Sequence, residues 1–407
     1  MHIGIHIDGR LADTTGMWNE KVLVHGLRAC GGEMQVTLFV SGTAPAWLSQ
    51  QGCPDWRVVS VDWPAEPDFV DVWPRLGGDG LDVMTPGFRA DAQNLIRQAG
   101  VQLVFYPHPI PWAFEAGVPY GVMIESVKHR AMADFPAFSS LGRWTREEYA
   151  IRNNVRHAMA VLAASDAARQ DLLHFYPKIA DPGRIHVFEN LSAIQRDFNG
   201  AGDLALEQAR QQHHLPEKFL LCPASHQPHE NLPRLLHAME RLRDENGIKI
   251  PLVMLSRKAN GGQPWREIAR KQADLLIRQF ELSEQLIVAE CAEPRDILAF
   301  CRLATAVVSP RLWGMVDEMI AGGWVAGCPV LAGDVHGVRE RIGDAALLVN
   351  PLDSGELAQG IKKLLEDGDL RNRLAAAGRE RLAALDLDRS AKTMAAILDK
   401  AAEPLRA

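Results

Sequence analysis

A repeated pattern governs this chain: short apolar runs set apart by longer amphipathic stretches. In the first half the runs lie at 3–7, 36–41, 101–106, 120–124, 159–163 and 184–188. In the second half they lie at 219–222, 252–255, 286–289, 304–309, 329–332 and 346–349. Helical patterns fall between or after them, among others at 19–29, 89–99, 146–158, 232–246, 356–367 and 388–402. Apolar runs this short, alternating with helices, read as strands buried on both faces of a parallel sheet. Gly31, Gly32, Pro107, Pro109, Pro182 and Gly183 punctuate the boundaries. The expected fold class is α/β, with two Rossmann-like doubly wound domains facing across a cleft. A polar stretch with Gly200, Gly202 and Pro216 interrupts the alternation. The expected organisation is therefore a first domain over 1–195, a linker with a short helix over 196–217, and a second domain over 218–385. A C-terminal helix in 386–407 is expected to pack back towards the first domain.

The net charge of −7 leaves no basic footprint for nucleic acid. Six cysteines are scattered without a close pair, and Cys222 sits inside the apolar run FLLCPAS. Buried, reduced thiols in the cytoplasm fit that usage. The opening MHIGIHIDGR turns polar too soon for a secretion signal. No apolar run reaches the ~18 residues of a membrane span. Cytoplasmic placement is expected, with peripheral contact at the inner membrane face left open. His226, His229 and Glu230 share one loop, but Pro228 breaks the helical spacing a zinc motif needs. No metal and no cofactor are expected.

Residues 309–350 read SPRLWGMVDEMIAGGWVAGCPVLAGDVHGVRERIGDAALLVN. A strand ending in Pro, a glycine turn and helix, a Gly-x-Pro-Val strand, a Gly-Val-x-Glu turn and an Asp-Ala-Ala-Leu-Leu-Val strand follow in order. This segment resembles the signature of family-4 retaining glycosyltransferases of the GT-B fold. FLLCPASHQPHENLPRLLHAMERLR resembles that family's first donor-domain strand, phosphate loop and helix. IHIDGRLADTTGMWNEKVLVHGLRACG and RIHVFENLSA resemble, more loosely, the elements that open and close the first domain. The resemblance implies a transferase moving a sugar from a nucleotide-diphosphate donor to a hydroxyl of a glycan, lipid-linked or protein acceptor. It implies no bound metal, because backbone N–H groups, helix N-termini and basic side chains carry the diphosphate charge. A homo-oligomer or a partner transferase is left open.

Aligned without gaps, the family's two donor-site glutamates fall on Gly314 and Gly322, its phosphate-loop Arg on Ser225 and its Lys on Glu230. Two readings follow. In one, other groups hold the donor: Ser225, His229, Arg257, Lys258, Arg311, Trp313, Gly314 and Met315, with Asp317 and Glu318 on sugar hydroxyls and Glu318 as a catalytic candidate. In the other, the chain is a non-catalytic glycosyltransferase-like subunit that binds or stabilises an active partner.

On the acceptor side, Glu125 stands where the family carries His after the strand at 120–124. It is either a base or hydroxyl ligand, or a strand-end residue facing water. Gly16 opens the first long helix, where its turn admits an acceptor closely or simply connects strand to helix. Met17 adjoins it. Asp8 and Arg10 either line the site or pair with each other. His108 is an acceptor contact or a plain loop histidine. Trp324 reads as core and Trp313 as a ligand candidate. Tyr149, Arg152 and Arg156 share a helix face that is either solvated or a seat for an acidic acceptor. Glu340 reads as a helix-start residue.

Overall fold

The computed structural model describes residues 2–9, 16–29, 35–45, 47–48, 56–63, 86–139, 143–188, 203–224, 226–257, 264–291, 294–313 and 316–402. Contacts divide the chain into two compact units. One comprises Met1–Asp134, Phe138–Ala193 and Asp386–Ala407; the other comprises Phe135–Ala137 and Ile194–Leu385.

In the first unit the strands are β1 (His2–Asp8), β2 (Gln35–Ser41), β3 (Arg57–Val61), β4 (Leu103–Tyr106), β5 (Tyr120–Ile124), β6 (Ala160–Ala163) and β7 (Ile185–Val187). They form one parallel sheet in the order β3-β2-β1-β4-β5-β6-β7. Ile3, Ile5 and Ile7 are fully buried, as are Val104, Val122 and Leu162. A strand covered on both faces needs no polar alternation, which is why these runs are continuous in sequence. β3 is the strand the sequence pattern does not reveal. It lies at the sheet edge, and Val58 within it is 54% exposed.

Helices of this unit include α1 (Gly16–Ala29), α2 (Pro86–Gln98), α3 (Arg143–His157) and α4 (Asp166–Phe175). Ser165 caps α4, its hydroxyl accepting from the Ala168 N–H at 3.0 Å.

In the second unit, α5 (Asp203–Gln212) precedes β8 (Leu220–Pro223). α6 (Leu232–Asn246) leads to β9 (Leu252–Arg257), α7 (Pro264–Gln279) to β10 (Leu286–Cys291), and α8 (Pro294–Leu303) to β11 (Ala306–Ser309). α9 (Glu318–Ala326) leads to β12 (Val330–Gly333), and α10 (Val338–Ile342) to β13 (Leu347–Val349). α11 (Ser354–Glu366) and α12 (Gly368–Ala383) close the unit. The parallel sheet runs β10-β9-β8-β11-β12-β13. α5 packs on α8. Leu236, Leu252, Val308, Leu331, Ile361 and Leu364 are fully buried in one core. Trp324 is also buried, its Nε1 donating to the Ala345 carbonyl at 2.8 Å. The last helix, α13 (Leu387–Ala402), belongs to the first unit, where it lies against α1 and β6 and buries Met394 and Leu398.

In each sheet the strand order reverses once, between β1 and β4 and between β8 and β11. Ligands of doubly wound sheets bind beyond the carboxyl ends of the strands at such a reversal. The fold therefore marks one place per unit where functional side chains should gather.

Candidate active site

At the reversal of the second sheet, the loop after β8 and the loop after β11 are tied together. The Leu312 N–H donates to the His229 carbonyl at 2.9 Å. His226 and Asn231 both adopt left-handed backbone, at φ 56° and 63°, on either side of the single turn Pro228–Glu230. Asn tolerates this region better than most residues. The Asn231 amide then donates to Pro310 O at 3.0 Å and to Pro351 O at 2.6 Å. One buried side chain thus binds the loops that follow β8, β11 and β13.

Arg311 stands at the centre of this arrangement. Its Nη1 lies 3.2 Å from Asp317 Oδ2, and its Nη2 lies 3.8 Å from Glu230 Oε1 and 3.3 Å from His229 Nε2. Arginine can only donate, so the imidazole accepts through Nε2 and is the neutral tautomer with its proton on Nδ1. Both carboxylates also serve the backbone. Glu230 accepts from the Gln227 N–H, closing a capping box. Asp317 caps α9 by accepting from the Ile320 N–H at 2.8 Å, and its other oxygen accepts from the Ser309 hydroxyl at 3.0 Å. Glu230 and Asp317 are 4% and 8% exposed, so each needs the guanidinium as counter-charge.

The structure thus brings His229, Arg311 and Asp317 together with Glu230. Glu318 begins α9 beside them, half-buried, and the Trp313 ring lies 6.2 Å from that of His336. Arg257 ends β9, but its side chain lies outside the described residues, as do Ser225, Lys258, Gly314 and Met315. Glu340 sits in the first turn of α10.

Gly333, at the end of β12, is required by space. A Cβ there would meet the Arg311 carbonyl oxygen at 2.4 Å and Pro351 Cβ at 3.0 Å. Gly333→Ala is expected to push back the Arg311 backbone and lower the melting temperature of this unit, with a cost of about 1–3 kcal/mol. Thermal unfolding followed by circular dichroism checks this. An unchanged transition would mean the loop yields freely.

At the reversal of the first sheet, α1 delivers two polar residues to the ends of β1, β4 and β5. Asn19 donates to Pro107 O at 3.2 Å and to Glu125 Oε1 at 2.8 Å. Glu20, which is fully buried, accepts the Asp8 backbone N–H at 2.9 Å. His108 Nε2 lies 3.9 Å from the same Glu20 oxygen. Burial pushes the Glu20 carboxyl up to about 8, with the neighbouring Asp8 charge adding to the rise. Burial pushes His108 down to about 4. Asp8, His108 and Glu125 lie at this place, and Gly16 starts the helix that carries Asn19 and Glu20. The Met17 side chain and all of Arg10 lie outside the described residues. Arg152 and Arg156 on α3 are exposed.

Sequence reasoning overlooked Asn19 and Glu20. A signal was present. Positions 20, 23, 24 and 27 recur at helical spacing on the face where Leu23, Val24 and Leu27 are buried. An acid at the first place of that apolar stripe contradicts its surroundings and marks a group held for a purpose.

The remaining chemistry is quiet. Cys222, Cys301 and Cys328 are buried free thiols, and burial raises Cys328 to about 12. Among the described residues, no cluster of three His, Cys, Asp or Glu is placed to hold a metal ion. No helix among them is long and apolar enough to cross a membrane.

The family model described as glycosyl transferases group 1 matches residues 206–381. The alpha-D-kanosaminyltransferase of Streptomyces kanamyceticus is 24% identical over 283 residues, 67% of this chain and 67% of that protein. The serotype-specific mannosyltransferase WbdA of Escherichia coli is 24% identical over 212 residues, which span 52% of this chain and 25% of WbdA. Among solved structures, Anabaena HepE in complex with UDP and glucose superposes with a TM-score of 0.72 at 14% identity, covering 98% of this chain and 100% of that one. An identity that low speaks to fold. Two parallel α/β sheets of this order have the GT-B architecture, and the second unit matches the glycosyl transferases group 1 model over residues 206–381.

Proposed function

We propose that this protein transfers a sugar from a nucleotide-diphosphate donor to an acceptor hydroxyl in the cytoplasm. The observation that carries the reading is the group 1 match on residues 206–381, a span that includes the loops gathering Arg311 and His229 at the reversal of the second sheet. Donor binding belongs to that unit. HepE, whose fold is alike, is described with UDP and glucose, and so a uridine nucleotide is the first donor to try. The acceptor belongs to the first unit, where Asn19 holds Glu125 at the end of β5. In the reaction the acceptor oxygen bonds to the anomeric carbon, the bond from that carbon to the diphosphate breaks, and the nucleoside diphosphate leaves. The acceptor proton passes to a base, for which Glu125, held by Asn19 at the end of β5, is the candidate carboxylate. Retention at the anomeric carbon rests on the resemblance to family-4 enzymes. The acceptor is a glycan, a lipid-linked sugar or a protein, and the inner membrane face is where a lipid-linked one would be met.

The test is calorimetry and thermal shift with UDP, GDP and dTDP and their hexose conjugates. One nucleotide is expected to stabilise the protein by about 2.7 kcal/mol at a hundredfold excess over its Kd. If none raises the transition, with or without monosaccharide acceptors, the transferase reading is lost.

One observation favours a second reading. Arg311, a described cation at the reversal, is already balanced by two carboxylates, Glu230 and Asp317. A chain whose phosphate-facing charge is spent this way suits a subunit that stabilises an active partner. That reading predicts co-purification with a second transferase and unchanged biological activity on replacing Arg257 and Lys258.

A further inference from the structure

The outer face of α7 carries two apolar side chains that the second unit leaves in water. Ile268 is 67% exposed and Leu275 is 64% exposed. A lone exposed apolar residue is ordinary, but these two stand seven apart on one helix. Seven residues bring the chain back to within about 20° of the same direction, so the two side chains lie in line, about 10.5 Å apart along the axis. Ala273 is buried and marks the side of α7 that meets the core. Ile268 and Leu275 stand about 140–160° round the helix from it, near the middle of the solvent-facing side. An apolar seam at this spacing is what one helix offers to another.

The charges beside the seam decide which helix fits. Glu267, Lys271, Asp274 and Arg278 form one row along its flank, with side chains open to water. Their signs run minus, plus, minus, plus. Read backwards, the row runs plus, minus, plus, minus. An antiparallel copy of the same helix therefore presents the opposite sign at each place. With the two-fold axis beside Gln272 and Ala273, Glu267 faces Arg278 of the second copy and Lys271 faces Asp274 of the second copy. Symmetry makes each contact twice. Within its own helix, Arg270 reaches Glu267 at 2.8 Å and Asp274 at 3.0 Å, and Lys271 lies 3.6 Å from Glu267. Such water-exposed pairs are weak and exchange for an intermolecular partner at little cost.

We propose that the outer face of α7 is a homodimer surface, on which α7 of a second copy of this chain packs antiparallel, with Ile268 beside Leu275 of that copy and the charged rows interleaved. The contact is one helix of 16 residues, about 24 Å long. It falls below the about 1,200 Å² at which standard interfaces begin, so the dimer is weak and reversible. The proposal does not depend on the glycosyltransferase reading.

Sedimentation velocity on the full-length protein, from low to high micromolar concentration, tests it with the variants Leu275→Ser, Glu267→Lys and Arg278→Glu. All three positions are exposed, so thermal melts of the variants should coincide with the wild type. The wild type is expected to pass from monomer to dimer as concentration rises. Leu275→Ser should weaken the dimer about a hundredfold, because one apolar contact is lost twice. Glu267→Lys and Arg278→Glu should each weaken it about tenfold, because an attraction becomes a repulsion at two places. An equal mixture of these two charge variants should dimerise like the wild type. The new lysine of one chain then faces the new glutamate of the other, and the native glutamate and arginine meet at the second contact. Glu267 and Arg278 are about 16 Å apart along one helix, so no contact within a chain gives this rescue.

A wild type that stays monomeric at every concentration overturns the proposal and leaves the face to a different protein or to water. A dimer that Leu275→Ser leaves intact also overturns it, because another surface would then hold the copies together. Failure of the mixture to recover the dimer overturns it as well, because the two rows would not meet in antiparallel order.

Discussion

Replacing Arg311 with methionine is expected to lower the stability of the second unit by about 3–5 kcal/mol, the cost of removing one partner from a buried ion pair. The methionine stem fills most of the space, so the loss is electrostatic. Glu230 and Asp317 are both buried and both face the guanidinium. Without it, two negative charges remain in a poorly solvated loop and also repel each other. The denaturant midpoint should fall with little change in slope, the signature of lost stability without a change in the unfolded chain. Adding Glu230→Gln to Arg311→Met should restore part of the loss, because one orphaned charge is gone while the capping acceptor for the Gln227 N–H is kept. A midpoint that hardly moves in the single variant would show that water already screens the pair. The double variant also probes donor binding. If it folds well and nucleotide affinity is still lost, Arg311 touches the diphosphate as well as its carboxylate neighbours.

Glu148→Gln is expected to cost the first unit about 3 kcal/mol at pH 7, in proportion to the depression of this carboxyl from its ordinary value. Glu148 lies on α3, 9% exposed. Burial alone would raise its pKa. Hydrogen bonds from Arg130, His129 and Tyr176 outweigh burial and hold the group at about 2, against 4.5 for a free glutamate. His129 Nε2 lies 3.0 Å from Oε2, the Tyr176 hydroxyl donates to it at 2.8 Å, and Arg130 grips both oxygens, with its Nε at 2.7 Å. Arg130 in turn stacks over the Tyr176 ring at 4.8 Å. A depressed carboxyl stabilises the fold above its unfolded pKa and loses that contribution as pH falls towards the folded value. The difference between wild type and variant should therefore be flat from pH 7 to about 4.5 and shrink below it. Urea melts at pH 7, 5, 4 and 3 measure this. A difference that stays constant down to pH 3 would place the effect in packing and not in charge. The cluster matters because it anchors the segment after β5, the strand that presents Glu125.

Much of the architecture is legible in the sequence. The apolar runs at 3–7, 120–124 and 252–255 correspond to β1, β5 and β9, because a strand buried on both faces writes its burial directly into consecutive residues. β3 escaped notice because an edge strand is half-solvated. Its sequence RVVSV is a short mixed run whose partner is decided elsewhere. Several strands begin one or two residues after the start of their apolar runs, as β4 does at Leu103 within the run 101–106, because Val101 is buried without pairing in the ladder.

The candidate site was only partly readable. Asp8, His108, Glu125, His229, Arg311 and Asp317 could be nominated from their places at strand ends. Their partners could not. Asp317 suggested a sugar ligand, yet both its oxygens are engaged by α9, Ser309 and Arg311. Glu230 suggested a charge reversal against a diphosphate, yet it has a capping role and a cationic neighbour of its own.

The sequence by itself determined the order and type of the elements, since helical and strand periodicity are local consequences of which face must leave water. The tertiary structure alone decided which polar groups meet. Strand order sets β8 beside β11 and β1 beside β4, so residues far apart in the chain, Glu230 with Arg311 and Glu20 with His108, come within reach of each other. No local rule carries that information. It arises from the parallel crossovers, which bring distant strand ends to one edge, where the low polarity of the interior makes each pairing of charges decisive.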